Sequence, residues 1–356
     1  MPRLAEAPDE AAALEQLHAG NMTDGLPVVI PTRRRVDALV LAGGLDGDVV
    51  LGTVGPAQGA ATLHAVATNA VMAGCLPAHF PVVIAGVQAL CDPVFDLTEV
   101  QVTTHSVTPL VIVNGPARAA CELSSGTGCL GPGPRANASI GRALRLVMMN
   151  IGGGRPGLAD MTVYGHPAKF SFCAAEDEAG SPWEPLHVSR GLRAEQSAVT
   201  VVATEGPHTV CCVPVPDGLQ DREADIWISL IASAIGTTGA NSTYFERGTI
   251  TVILNAQLAG TFARAGHTRR SLQEQFVARS RHRRGYLRGL NPGLIAPGAD
   301  DDVVHRDPAT IMIVVTGGGG HYVMVCPTLG VGPHNNSPVT REISINPSCE
   351  VPLQQR

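Results

Sequence analysis

One order of elements occurs twice along this chain of 356 residues. The apolar run 110–119 ends in Asn114 and continues with small residues, and 251–260 repeats that arrangement around Asn255. Further segments pair in the same order: 49–54 with 199–204, 62–73 with 224–235, 139–150 with 271–281 and 165–173 with 317–326. We therefore expect an α/β fold of two pseudo-repeated α/β halves packed about a pseudo-twofold axis. Chance recurrence is the alternative, because apolar strands followed by Gly or Asn are common in α/β proteins.

A segment with Trp and two prolines, GSPWEPLH, interrupts the regular order and marks the expected junction. The expected organisation is an N-terminal arm (1–47), a first α/β half (48–176), a junction (177–197), a second α/β half (198–330) and a C-terminal arm (331–356). Within the first half, the pattern predicts helices near 60–73 and 81–90 and strands near Val100 and Leu110. The tail, rich in Pro, Asn and Ser, predicts an extended arm that straps a neighbouring subunit, so we expect a homo-oligomer.

Residues 124–157 place two glycine-rich loops on either side of one amphipathic helix. Glycines permit positive φ and let a ligand approach the backbone closely. Asn137 and Ser139 offer N-cap side chains, and Arg135 lies beside them, so the helix start suits a carboxylate or phosphate. No Walker or dinucleotide-binding pattern is present. An ordinary glycine-rich connection is the alternative.

Charge and hydropathy exclude several classes of partner. A net charge of −6 without a basic tail argues against a nucleic-acid binder and leaves small molecules as partners. The acidic N-terminus does not fit a signal peptide, and no run reaches the ~18 apolar residues of a membrane span, so we expect a cytoplasmic protein without a membrane partner. The nine cysteines, an odd number without a CxxC pair, indicate reduced thiols.

Four side chains are predicted to carry acid–base chemistry, each with a structural alternative. Lys169 is the only lysine among many arginines, and a lysine can act as a base where arginine cannot, although chance retention explains it as well. His105 and His321 lie at expected strand ends, where a base is held open to a ligand, unless each only caps its loop. Glu205 ends an apolar strand and is a further acid or base, unless it is a plain surface residue.

Amides and one guanidinium in the converging loops are the expected substrate-binding groups, because they can hold and polarise substrate oxygens. They are Asn114, Arg135, Asn137, Asn241 and Asn255. Cys129 and Cys173 are possible reactive thiols, with inert burial as the alternative. Pro185 spoils the i, i+3 spacing of Glu184 and His187 as metal ligands, so we expect no metal and no cofactor.

The segment 264–288 concentrates eight arginines and two histidines against one glutamate. Such a run can clamp phosphate groups. It is also typical of a solvated helix face or an oligomer contact, which we favour.

Four segments resemble an uncharacterised bacterial family associated with a UGSC selenocysteine or cysteine motif. They are 24–28 (DGLPV), 69–90, 131–147 and 181–191. The resemblance extends over most of the chain and implies an enzyme-like protein of two halves, with no established activity to carry over. This chain has no Cys-Gly-Ser-Cys, which puts a selenol or thiol role in doubt. The family pattern has a glycine–lysine loop in each half; Lys169 fits the first, and Gly320-His321 stands at the second.

Together these features predict a cofactor-independent small-molecule enzyme, a lyase or hydrolase. It would use acid–base chemistry on a polar, carboxylated substrate in the cleft between the two halves. A non-catalytic metabolite-binding or assembly protein is one alternative. A cysteine-based sulfur-transfer or thiol-redox enzyme is the other.

Overall fold

The structure of this protein is a computed structural model that describes residues 6–212, 214–295 and 306–344. The strands in these ranges are β1 (Val50–Val54), β2 (Gly59–Thr62), β3 (Thr108–Asn114), β4 (Cys173–Ala175), β5 (Ala198–Thr204), β6 (His208–Cys211), β7 (Ile250–Leu254), β8 (Ile311–Val315), β9 (Tyr322–Cys326) and β10 (Val339–Glu342). The α-helices are α1 (Glu10–Ala19), α2 (Arg33–Gly43), α3 (Leu63–Met72), α4 (Phe80–Leu90), α5 (Leu97–Val102), α6 (Ala117–Ala120), α7 (Arg135–Asn150), α8 (Leu186–Ser189), α9 (Glu223–Ile235), α10 (Asn241–Tyr244), α11 (Ala256–Arg264), α12 (Arg269–Arg279) and α13 (Arg284–Leu290).

The central strands β3, β5 and β7 are buried throughout, and this requires a fold that covers both of their faces. All seven residues of β3 are buried. Since successive side chains of a strand point to opposite faces, Leu110 and Ile112 join one apolar cluster while Val111 and Val113 join another. Strands of this kind need packing partners on both sides of the sheet.

Two four-stranded mixed sheets provide this packing, and they share one pattern of strand directions. The first has the order β10-β5-β3-β4 and the second the order β6-β9-β7-β8. In each sheet the first two pairings are antiparallel and the last is parallel. The α/β class predicted from the sequence is thus confirmed.

The inner faces of the two sheets meet in one apolar layer, and helices cover the outer faces. Leu110 and Val202 of the first sheet pack in the same cluster as Ile253 and Val314 of the second. Helices α3, α4 and α7 cover the first sheet, and α9, α11 and α12 cover the second. The order of layers is helix, sheet, sheet, helix.

Most elements occur where the hydrophobic periodicity places them, but the strand predicted near Val100 is wrong. Residues 97–102 form helix α5, and Asp96 precedes it with a positive φ of 53°. Leu97, Val100 and Gln101 are buried at helical spacing. Burial of this face outweighs the β-propensity of the two valines in the segment.

The predicted segment matches agree with the sheets only in part. Strands β3 and β7 occupy equivalent positions, as the repeated Asn turn implies. The segment 317–326 was matched to 165–173, yet β9 holds the position of β5, and β8 that of β4. Strand β1 lies in a separate hairpin with β2, so 49–54 has no equivalent in either sheet.

The predicted arms contribute to the body of the molecule. Strand β10 pairs with β5 of the same chain, whereas the sequence suggested a strap on a neighbour. Residues 345–356 of that predicted arm lie outside the described residues. Near the N-terminus, Arg142 of α7 makes a bidentate ion pair with Asp24, with nitrogen–oxygen distances of 2.8 and 2.7 Å.

No single helix in the described part of the chain is both long enough and apolar enough to cross a membrane. Two consecutive stretches, Pro77–Leu90 and Pro93–Val102, reach that length and apolarity only as a pair, and they meet at an angle of 71°.

Candidate functional site

A cleft of about 860 Å³ opens between the two sheets. One wall consists of the first glycine loop, the start of α7 and residues 166–173, and the other of β7, β9 and the turns around them. Its polar side chains are those of Cys129, Asn137, His166, Ser171, Cys173, Asn255, Thr316 and Tyr322. The lining includes no Lys, Arg, Asp or Glu among the described residues.

Backbone hydrogen bonds join the loops of the two halves at this cleft. The N–H of Gly317 donates to the carbonyl of Ser125, and the N–H of Asp177 donates to that of Val315. The hydroxyl of Thr316 lies 2.8 Å from the carbonyl oxygen of Ala175. The loops that follow β4 and β8 therefore meet at the cleft.

Two of the predicted asparagines, Asn137 and Asn255, hold the cleft walls. The amide nitrogen of Asn137 donates to the carbonyls of Ser124 and Cys129, and its oxygen accepts the N–H of Ser124. Asn255 is the N-cap of α11, where its oxygen accepts the N–H of Leu258 at 2.9 Å. Both amides are thus largely committed to the backbone, and they fix the loops more than they offer free donors.

His166 is the one histidine among the described residues that line the cleft. It lies extended before Pro167, with φ −161° and ψ 163°, which is the conformation that a following proline imposes. Its Nε2 is 2.9 Å from the carbonyl oxygen of Ser106. Since a carbonyl can only accept, Nε2 carries the hydrogen of this bond.

The other ring nitrogen of His166 is a free base. Burial lowers the pKa of the ring, and the charges of Lys169 and Arg145 act in the same direction, whereas the Ser106 carbonyl and the Glu205 carboxylate oppose them. The neutral ring therefore keeps its lone pair on Nδ1, which has no hydrogen-bond partner. A Cβ placed on Gly206 would lie 3.4 Å from Nδ1, so the glycine leaves space beside this atom.

Three predicted residues, His105, Glu205 and Asn241, come together next to this histidine. Nε2 of His105 is 2.7 Å from Oε1 of Glu205, although neither atom makes a hydrogen bond of regular geometry. Nδ1 of His105 is 3.3 Å from the amide nitrogen of Asn241. His105 directly precedes Ser106, whose carbonyl bonds His166, and Glu205 directly precedes Gly206, beside the same ring.

Both predicted thiols line the cleft but are buried. Burial raises the pKa of Cys173 strongly and that of Cys129 as well. The sulfur of Cys129 is 3.4 Å from the hydroxyl of Thr316. Both thiols are thus protonated at neutral pH and are poor nucleophiles.

The remaining predicted residues lie away from the cleft lining. Nζ of Lys169 is 2.7 Å from the carboxylate of Asp160, and this ion pair anchors the loop that carries His166. Arg135 is exposed and donates to the carbonyl of Gly74. His321 precedes β9, and no polar contact of its ring occurs among the described residues.

Asn114 belongs to a second polar cluster at the end of β3. Its amide nitrogen donates to Glu176 at 2.6 Å and to Glu178 at 2.9 Å. Arg269 donates to the other oxygen of Glu176, and Arg118 donates to Glu178, so every carboxylate oxygen of the cluster has a partner. We call these five side chains the carboxylate cluster.

Sequence reasoning did not assign a catalytic role to His166. The sequence signal that could have identified it is the His-Pro pair directly after Gly165. Gly165 has a φ of 69°, which turns the chain into the cleft wall. In the part of the chain that the structure describes, no group of three or more His, Cys, Asp or Glu side chains is arranged to hold a metal ion.

No model of a known protein family matches this sequence, and no curated protein matches it significantly.

Proposed function

We propose that the cleft binds a small carboxylated molecule and that the protein is a cofactor-independent lyase or hydrolase with His166 as its general base. The observation that carries this proposal is the unpartnered Nδ1 of a neutral, oriented imidazole beside an open cleft. A general base must be unprotonated and held near its substrate; the ring is neutral and lines the cleft, and its buried Nδ1 becomes accessible when the groups that cover it move.

The neighbouring pair supports the same role. When Nδ1 accepts a proton, the ring becomes an imidazolium that still donates through Nε2 to Ser106. The carboxylate of Glu205 favours that charged form. His105 contacts Glu205 at 2.7 Å and so holds the carboxylate in place.

Helix termini provide the expected recognition of an anionic group. Asn137 and Ala138, in the first turn of α7, line the cleft, as does Asn255 at the N-cap of α11. The positive ends of two helix dipoles thus lie at a cavity lined by no charged side chain among the described residues. The apolar lining suits the carbon skeleton of the substrate.

We further infer that the two sheets arose by duplication and are related by a pseudo-twofold axis, with the cleft at their junction. Their common order of antiparallel, antiparallel and parallel pairings supports this inference. Membership of the family with the UGSC motif, which four segments resemble, is part of the same proposal. Superposition of β3, β4 and β5 on β7, β8 and β9 tests it, because a duplication requires the strands to superpose and a pseudo-twofold axis requires a rotation near 180°.

A screen of small carboxylic acids tests the function. Ligands are identified by thermal shift of the wild-type protein, and their turnover is followed by proton NMR. His166→Gln removes the base, whereas His282→Gln is a matched control, since His282 also bonds a backbone carbonyl, that of Gly236, but lies outside the cleft. We expect turnover to fall by about 100-fold or more in His166→Gln and to persist in His282→Gln.

Two other results would each favour one of the alternative functions. A ligand that binds to the cleft without turnover would favour the metabolite-binding alternative. Turnover that survives His166→Gln but is abolished by alkylation of Cys129 would favour thiol chemistry.

A further inference from the structure

A second concavity, of about 670 Å³, lies away from the cleft between residues 183–190, the first turn of α12 and strand β8. Three guanidinium groups line it, those of Arg190, Arg269 and Arg270. The half-buried indole of Trp183 forms part of its wall. We call this concavity the arginine groove.

The positive charge of the arginine groove is only partly compensated. Arg269 pairs with the buried Glu176, and Arg270 pairs with Glu274 at 2.7 Å. Arg190 has no carboxylate partner among the described residues; its donors reach the carbonyl of Pro338 and the hydroxyl of Thr340. The carboxylate-bearing residue in the lining is Glu184, whose side chain is exposed.

Burial affects two of the arginines that line the groove. The Nε of Arg269 is buried and has no hydrogen-bond acceptor. The groove walls also desolvate the guanidinium of Arg190 and lower its pKa, although part of the side chain remains exposed. A desolvated cation is costly, and an anion in the groove beside Arg190 would offset that cost.

The backbone adds to this field. Helix α12 begins at Arg269 with Thr268 as its N-cap, and both residues line the groove. The positive end of an 11-residue helix therefore faces the same space as the three guanidinium groups. The face of Trp183 offers a surface for a planar or carbon-rich group, and Arg269 already lies 5.8 Å from its ring centre.

We propose that the arginine groove binds a phosphorylated small molecule, with Arg190, Arg269 and Arg270 contacting the phosphate and Trp183 contacting the organic part. Guanidinium groups match the geometry of phosphate oxygens and bind them with paired hydrogen bonds. The proposal gives a ligand-binding role to two arginines of the basic segment 264–288, Arg269 and Arg270. Others of that segment pair with surface carboxylates, as Arg279 does with Asp225.

Isothermal titration with inorganic phosphate, ribose 5-phosphate and adenosine 5′-monophosphate tests the proposal. Arg190→Gln and Arg270→Gln remove groove charges without breaking a buried ion pair. Arg279→Gln removes the same charge from the other end of α12 and is the matched control. We expect at least one organic phosphate to bind about tenfold more tightly than inorganic phosphate, and to lose about tenfold in affinity with each groove variant but not with the control.

The two organic probes separate the possible sources of the phosphate. Binding of both identifies a sugar phosphate, and binding of the nucleotide alone identifies a nucleotide with its base on Trp183. Absence of binding at about 10 mM in low salt would overturn the proposal. So would equal affinity for inorganic phosphate, or an equal loss in Arg279→Gln, since either result indicates only non-specific attraction of anions.

Discussion

The carboxylate cluster and the cleft lie at the ends of neighbouring strands, yet their carboxylates differ in how well they are hydrogen-bonded. In the carboxylate cluster, Glu176 has no exposed surface and both of its oxygens accept hydrogen bonds. Beside the cleft, the buried Oε1 of Glu205 lies 2.7 Å from Nε2 of His105 without a hydrogen bond of regular geometry, and the buried Nδ1 of His166 has no hydrogen-bond partner.

This difference separates stability from function. A buried carboxylate with all of its partners fixes the strand ends, and breaking such a network is expensive. A buried nitrogen without a partner costs stability, and such a cost is typical of a functional site. Mutations at the two places should therefore have unequal effects on folding.

The largest effect is expected at Glu176. Glu176→Gln leaves the guanidinium of Arg269 without its charge partner, so we expect the free energy of unfolding to fall by about 3–5 kcal/mol. Glu205→Gln is the matched change beside the cleft, and we expect it to cost no more than about 1 kcal/mol. Denaturation in urea measures both values. Equal losses would remove the distinction between the two regions.

A second effect concerns His79, which is buried like the carboxylate cluster. Its Nδ1 accepts the N–H of Leu76, and burial together with the nearby charge of Arg135 lowers its pKa to about 4. The unfolded chain binds this proton near pH 6.5, so acidification from 6.5 to 4 favours unfolding, by up to about 3 kcal/mol. His79→Gln should remove this part of the pH dependence of stability. If the wild type and the variant lose the same stability over that range, the pKa of His79 in the folded protein is not lowered as described.

The thiols provide a smaller test of where reactivity lies. Cys129 and Cys173 are buried with raised pKa values, whereas Cys211 is exposed. At neutral pH we expect iodoacetamide to modify Cys211 at least about 100 times faster than either cleft cysteine, as measured by peptide mass spectrometry. Preferential labelling of Cys129 would show a reactive thiol in the cleft and would favour the cysteine-based alternative.

Periodicity in the sequence was sufficient for elements whose burial is simple. Strand β3 and helix α7 were predicted within a few residues, because a wholly apolar run and a one-sided apolar stripe are local patterns. Strand β10 and helix α5 were not, because their conformations depend on partners that are distant in the chain. The pairing of β10 with β5 and the burial of Leu97 and Val100 cannot be inferred from neighbouring residues.

The candidate site was found in part for the same reason. Strand-end reasoning located His105 and Glu205, which the structure places in contact. Composition gave weight to Lys169, because it is the only lysine of the chain. In the structure, Lys169 forms an ion pair with Asp160. His166 was not singled out, because its importance depends on one carbonyl, that of Ser106, on another segment of the chain.

Nitrogen-detected NMR of the histidine rings tests the central claim most directly, since it needs no knowledge of the substrate. The His166 signals are assigned by their loss in His166→Gln. We predict a neutral ring at pH 7 with its hydrogen on Nε2 and a titration midpoint below 6.5, the ordinary value for histidine. A hydrogen on Nδ1, or a midpoint at or above 6.5, would contradict the assignment of His166 as the base of the cleft.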